Sequence, residues 1–260
     1  MDVKPVFMGL RAIALIAAAA LASPVLSQSY PSRPITVAYQ FGPGAFDAML
    51  RPLSAEAGKL LGQSVVFENR PGGNGRIVLN ALKNAKPDGY TIGFAINGTL
   101  IHQPLTGPAY KLDIDTDYLP VQFSIETPQV LTANTGVPFK DLKGLVAYAK
   151  ANPGKLNMSM NLGGASHFIA ELLKYTAGID IALIPYKAAS AQMVDLVEGR
   201  VQMAISSGSA KPLVDSGKLL ALATTAKDRW KAFPNAPTFG EAGVPIVSTV
   251  WFALIANPMV

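Results

Sequence analysis

The sequence predicts an α/β fold of two lobes, each a mostly parallel sheet flanked by helices. Three observations carry this. Strand-like and helix-like segments alternate along most of the chain, separated by Gly- and Pro-containing loops. Half of the residues are hydrophobic and 15% are charged, which suits a folded protein with a sizeable core. The 260 residues suffice for two ordinary domains, and an irregular stretch at 106–131 interrupts the alternation where the lobes would divide. Repeated βα units align their strands in parallel and put helices on the sheet faces.

Each element has its own signal. Residues 35–39 alternate apolar and polar as a strand does. Beyond a break at 41–45, Leu50, Leu53, Ala57, Leu60 and Leu61 fall on one helical face. Asp47 is placed as N-cap of that helix, a role that stabilises it by roughly 1 kcal/mol. Pro52 lacks the N–H that a helix would use there, which predicts a kink or a later start. Residues 64–67 read as a strand, 68–75 as a loop, and Ile77, Val78, Ala81, Leu82 and Ala85 as an amphipathic helix before a strand at 90–96. In the second half, Leu142, Leu145, Val146 and Ala149 mark a helix, 156–160 a strand, and Ile169, Leu172 and Leu173 a helix closed by Gly178. A strand at 181–184, a helix at Met193, Leu196 and Val197 closed by Gly199, and strands at 201–205 and 219–223 complete the pattern.

The N-terminus predicts export. Lys4 and Arg11 precede an apolar run at 12–21, then small residues to Ser27, the three parts of a secretory signal cleaved after Ser27. The run is too short to span a bilayer comfortably. Cleavage removes two basic residues and one acid, so the net charge falls from +5 to +4, a mild preference for anions. The basic residues are scattered, which argues against nucleic acid. With no cysteine, neither disulfides nor thiolate metal sites are possible. His102 and His167 lack acidic partners at metal-binding spacing, so no metal and no cofactor are expected. No Gly-x-Ser-x-Gly elbow or phosphate loop occurs. His167 is expected in the first turn of its helix, packing or hydrogen bonding there.

Ligands in open α/β sheets bind beyond the carboxyl ends of the strands. Two Gly-rich loops leave a strand there and enter a helix: residues 41–47, with Phe41, Gly44, Ala45, Phe46 and Asp47, and residues 161–166, with Gly164, Ala165 and Ser166. Amides at a helix start are unpaired and lie at the positive end of its dipole, so facing loops of this kind make an anion cradle. Asn97, Gly98 and Thr99 end another first-lobe strand and could add side-chain donors.

The chain resembles the substrate-binding receptors of tripartite tricarboxylate transporters, the Bug proteins. The resemblance rests on Tyr30-Pro31-Ser32-Arg33-Pro34-Ile35, Glu68-Asn69-Arg70-Pro71-Gly72, Pro87-Asp88-Gly89-Tyr90-Thr91, Asn152-Pro153-Gly154-Lys155-Leu156-Asn157, Pro185-Tyr186-Lys187, Gly217-Lys218-Leu219 and Pro237-Thr238-Phe239-Gly240-Glu241-Ala242-Gly243, in that order. It implies a two-lobed periplasmic binding-protein fold (type II-like), with lobe 1 at 28–124, lobe 2 at 125–247 and a return strand at 248–260. It further implies a monomer in the periplasm that is not an enzyme. Such a protein captures a small organic carboxylate (dicarboxylate, acidic amino acid or aromatic acid) in an interlobe cleft and passes it to membrane transporter subunits or a sensor kinase. The loop at 41–47 and the loop at 163–166 would grip the ligand from the two lobes.

Several residues depart from the family pattern. The first loop is one residue short of the usual Pro-Phe-x-x-Gly-Gly-x-x-Asp, and Phe46 stands where a small or polar residue is common. Ala188 replaces a usual Gly. Ser206 and Ser207 occupy the place of a common Asp-Asn pair, which favours a plain carboxylate over an amino acid. Family chains continue past Leu254 with helices that cover the first lobe. An end at Val260 implies their loss and an exposed apolar sheet face. The alternatives are a degenerate, non-binding remnant of the family, or a small-ester hydrolase using Ser166 or Ser209, for which the sequence offers no His–acid pair.

Overall fold

The structure, a computed structural model, describes residues 29–42, 45–106 and 111–260. The expected signal peptide at 1–27 lies outside the described residues. Two five-stranded sheets organise the chain. The first contains β1 (Ile35–Tyr39), β2 (Val65–Asn69), β3 (Thr91–Ile96), β4 (Leu119–Pro128) and β10 (Thr249–Ala256), in the order β2-β1-β3-β10-β4. The second contains β5 (Val130–Asn134), β6 (Asn157–Met160), β7 (Ala182–Pro185), β8 (Met203–Ser206) and β9 (Leu219–Thr224), in the order β7-β6-β8-β5-β9.

One strand in each sheet runs against the rest. β1 pairs in parallel with β2 and β3, and β6 with β7 and β8. β10 is antiparallel to both β3 and β4, and β5 to both β8 and β9. The sheets are therefore mixed, whereas βα repetition alone predicts mostly parallel ones. The cause is topological: β5 and β10 are the strands that the chain enters on crossing from the other sheet. The first crossing falls at Gln129. β4 pairs with β10 from Leu119↔Ala256 to Pro128↔Thr249, so the first sheet runs past the division expected after residue 124.

Helices cover both faces of each sheet. In the first, α1 (Ala45–Leu61) buries Leu50 against Val37, Tyr39, Phe94 and Phe252. On the opposite face α2 (Arg76–Lys83) buries Leu79 and Leu82 against Ala95 and Ile255. Two short helices, α3 (Gln103–Thr106) and α4 (Ile114–Asp117), lead to β4, and buried Tyr118 donates its hydroxyl to Leu79 O at 3.0 Å. β4 is an edge strand, with Val121 and Phe123 half exposed. In the second sheet α5 (Leu142–Ala151) and α6 (Ala165–Ala177) bury Leu142, Leu145, Ile169 and Leu173 against Leu131, Met203 and Phe239. On its other face α7 (Ala189–Val197) and α8 (Lys211–Asp215) pack Leu196 and Val214 against Ala204 and Leu219.

Two expectations about α1 need correcting. The helix begins at Ala45, so Asp47 is its third residue rather than its N-cap. Of the two outcomes expected from Pro52, a kink or a later start, the later start is not seen: Pro52 lies inside a helix that begins at Ala45. Tertiary ties outweigh the missing N–H: Leu50 is fully buried, and Ser54 Oγ donates to Val65 O. The glycine stops behave as read, since Gly178 and Gly199 adopt φ of 61° and 77° just beyond α6 and α7. Among the described residues no helix is long and apolar enough to cross a membrane.

The two crossings are pinned to each other. Buried Thr225 follows β9, where the chain leaves the second sheet. Its Oγ1 accepts from Gln129 N–H at 2.9 Å and donates to Ser248 O. Its backbone bonds Gln129 O and Ser248 N–H, both at 2.9 Å. Away from this hinge the lobes also meet where the His102 ring stacks on Phe168 of α6, with centroids 4.7 Å apart and planes 13° from parallel. Burial lowers the His102 pKa from its usual 6.5, so the imidazole is neutral in this contact at neutral pH.

Thr225→Val keeps the shape and removes both hydroxyl bonds. It should cost about 1–3 kcal/mol of unfolding free energy in urea titrations; an unchanged midpoint would contradict the hinge role. For His102, a folded-state pKa below the unfolded value makes the unfolded chain bind more protons in between. Stability is full above pH 6.5 and falls as pH drops below it. His102→Phe, which keeps a ring on Phe168, should flatten that fall in melting temperature between about pH 7 and pH 5. Parallel curves for the two proteins would contradict it.

Candidate functional site

The carboxyl ends of β1, β3, β6 and β8 converge between the sheets. A Cβ placed on Gly98 would lie 3.6 Å from Ala165 N and 3.7 Å from Gly164 Cα, so the loops after β3 and β6 touch across the lobes. The expected residues Gly98, Gly164 and Ala165 are thus brought together.

In the first lobe, Asn97 and Thr99 are buried. Asn97 Oδ1 accepts from Gly98 N–H at 3.0 Å, and its Nδ2 donates to Thr249 O at 2.8 Å. That caps a π-helical turn at Gly98–His102, a rare geometry that is frequent at functional sites. Thr99 Oγ1 lies 2.6 Å from Gln40 Oε1 and 3.0 Å from Asn74 O. One hydroxyl proton serves only one of these oxygens at a time; turning the Gln40 amide to present its NH₂ would satisfy both. Gly75 permits the close approach, since a Cβ there would meet Gln40 Oε1 at 2.3 Å. Asn97 and Thr99 therefore hold the loops through their side chains, Asn97 with one of its two amide hydrogens.

Of the first loop, Phe41 is described and packs its ring 6.3 Å from that of Phe252, while Asn69 Nδ2 holds its carbonyl at 3.0 Å. Ala45 to Asp47 form the first turn of α1. Gly44, and the side chains of Phe46 and Asp47, lie outside the described residues.

The second lobe supplies an uncapped helix start. Gly164 is the N-cap of α6 and offers no side-chain cap, in contrast to α5, where Asp141 Oδ1 accepts from Gly144 N–H at 2.7 Å. The preceding loop folds back on itself. Gly164 N–H bonds Asn161 O at 2.9 Å, Ser166 Oγ accepts from Asn161 N–H at 2.9 Å, and His167 Nδ1 accepts from Gly163 N–H at 3.3 Å. His167 thus takes the local role expected of it. The amides of Ala165, Ser166 and His167 bond no acceptor among the described residues. Three N–H groups at the positive end of a 13-residue helix form a cradle for an anion.

Ser206 closes β8 beneath this site. It is buried, and its hydroxyl pairs with Thr132 Oγ1 at 2.9 Å, so it braces the sheet. Ser207 Oγ lies 2.7 Å from Ser209 Oγ. Neither Ser166 nor Ser209 is bonded to an imidazole, so no nucleophile–base pair is formed at either serine. Among the described residues no group of three metal-ligating side chains occurs. Phe41, Asn97, Thr99, Ser166 and Ser206 carry no charge, so none of them would pair with an anion as an ion pair. The sequence reading missed Gln40 and Gln103, whose side-chain amides join the first-lobe loops, and Asn74, whose carbonyl accepts from Gln103; the Gly72-Gly73-Asn74-Gly75 run was the available signal.

Comparison with known proteins agrees with this architecture. The family described as Tripartite tricarboxylate transporter family receptor matches residues 49–260. BugT of Bordetella pertussis is 36% identical over 246 residues, covering 93% of this chain and 76% of BugT. Two solved structures from Rhodopseudomonas palustris align over 88% of this chain. Rpa4515 with adipate has a TM-score of 0.79 at 31% identity, covering 78% of that chain. MatC with bound malate has a TM-score of 0.77 at 30% identity, covering 79% of that chain. Proteins of this kind are periplasmic solute-binding receptors and not enzymes. The chain belongs to the tripartite tricarboxylate transporter receptor family, the family of the Bug proteins.

Proposed function

We propose that this protein is an exported receptor that captures a small organic carboxylate between its two lobes and delivers it to a tripartite tricarboxylate transporter. The observation that carries the reading is the uncapped start of α6, which offers the amides of Ala165, Ser166 and His167 and whose Ala165 N lies against Gly98 of the other lobe. A carboxylate fits this chemistry, because its two oxygens accept several N–H bonds and its charge opposes the helix dipole. The start of α1, with Gly44, Ala45, Phe46 and Asp47, would hold the ligand from the first lobe. The relatives bound to adipate and malate support the ligand class.

The ligand is a plain mono- or dicarboxylate, with no ammonium group. An amino acid would need a carboxylate acceptor near the second-lobe strand ends, and β8 ends there in Ser206 and Ser207. Ser206 is already paired with Thr132.

Thermal-shift titration with adipate, malate, benzoate and aspartate tests this. At least one of the first three should raise the melting temperature progressively with concentration, by the equivalent of about 2.7 kcal/mol at a hundred times Kd. Aspartate should be weaker. A well-folded sample that no carboxylate stabilises would overturn the reading. Gly98→Ala should bind within about threefold of wild type, because the new Cβ meets only ordinary van der Waals distances. Gly98→Leu should wedge the loops apart and weaken binding by roughly tenfold or more, with the fold intact; equal affinity for both variants would contradict closure at Gly98.

A further inference from the structure

We propose that Asn74 is a positioning residue that latches the two ligand loops together when the lobes close. Its side-chain Nδ2 donates to Leu162 O at 2.8 Å, from the first lobe to the loop that opens α6. Its backbone carbonyl accepts from Gln103 Nε2 at 2.6 Å and lies 3.0 Å from Thr99 Oγ1. One residue therefore grips the Gly98–His102 turn through its backbone and the 161–164 loop through its side chain. Arg76 Nε braces the same Gln103, 3.3 Å from its Oε1.

The backbone of Asn74 supports this. Its φ is 52° and ψ 40°, the left-handed region, and among the described residues it is the non-glycine with positive φ. Glycine would take this conformation without strain, and both neighbours, Gly73 and Gly75, are glycines with positive φ. Asparagine tolerates the region better than most residues and, unlike glycine, carries an amide. The amide is aimed at a carbonyl of the opposite lobe, away from its own turn. Leu162 itself is more than half exposed, so the carbonyl of the loop, and not its side chain, is what the first lobe holds.

The latch supplies affinity without touching the ligand. A hydrogen bond made only in the closed form shifts the closing equilibrium, and ligand trapped in the closed form leaves more slowly. Losing it should raise the dissociation rate by roughly threefold to tenfold, as one neutral hydrogen bond allows, and leave the association rate unchanged. The role rests on the two-lobe receptor reading, but closure can be read without any ligand.

The chain lacks cysteine, so spin labels can be placed cleanly. Leu60 of α1 and Tyr175 of α6 are each 87% exposed, one in each lobe. With labels on L60C and Y175C, pulsed dipolar spectroscopy of the ligand-free protein should show a closed-distance population. Asn74→Gly, which relaxes the turn and deletes the amide, should reduce it; Asn74→Asp, which sets a carboxylate against the Leu162 carbonyl, should reduce it further. If Asn74→Gly keeps the wild-type distribution, Asn74 is only a turn residue and the proposal fails. A wild-type protein with no closed population overturns it equally. Failure of the receptor reading is visible separately, as absence of any carboxylate-induced shift in the same distances with adipate or malate.

Discussion

The structure depends on the chain crossing between its sheets twice, with both crossings tied at one threonine. Thr225 binds Gln129 and Ser248 through its hydroxyl and its backbone together. Each crossing delivers a reversed strand, β5 or β10, into the middle of a sheet, where it pairs on both sides. The lobes are thus each completed by strands from distant parts of the sequence. They meet at a buried, hydrogen-bonded junction of Gln129 and Thr225. The carboxyl ends of β3 and β6 meet across it at Gly98 and Gly164, where the proposed function puts the ligand.

That chemistry is economical in side chains. In the first lobe, Gln40, Asn74, Asn97, Thr99 and Gln103 are engaged in holding loops in place. In the second, Ser206 braces the sheet and Ser166 and His167 fold their loop back onto the helix start. Among the described residues, the start of α6 offers backbone amides that bond no acceptor, next to Gly98 of the other lobe. Under the proposed function, a site built this way would select for negative charge and shape and leave selectivity among acids to the surrounding walls.

Much of this was legible in the sequence because the relevant signals are local. Period-two alternation located β1, and Gly178 and Gly199 marked helix ends that need φ near +60° to +80°. A Gly-rich turn before a helical pattern pointed to the loop at Gly164, and the end of a first-lobe strand to the loop at Gly98 that it meets. The misses are non-local. Nothing near Asp47 signals that α1 begins at Ala45 and runs through Pro52. The extent of β4 is set by a partner more than a hundred residues away, so its end at Pro128 could not be read from its own residues. Asn97, Thr99 and Ser206 looked like donors for a ligand because their types are right. Only the fold reveals that Thr249, Gln40 and Thr132 already occupy them. Asn74 was passed over because a Gly-Gly-Asn-Gly run reads as a turn whether or not its amide reaches another lobe.

The central claim is that backbone amides at the start of α6 hold a carboxylate between the lobes. Amide-resolved NMR during titration with adipate and malate tests it most directly. The account predicts saturable downfield shifts of the Ala165, Ser166 and His167 amide protons, together with changes at Gly98 across the cleft. Saturable binding that leaves these amides unmoved and perturbs another surface would contradict it.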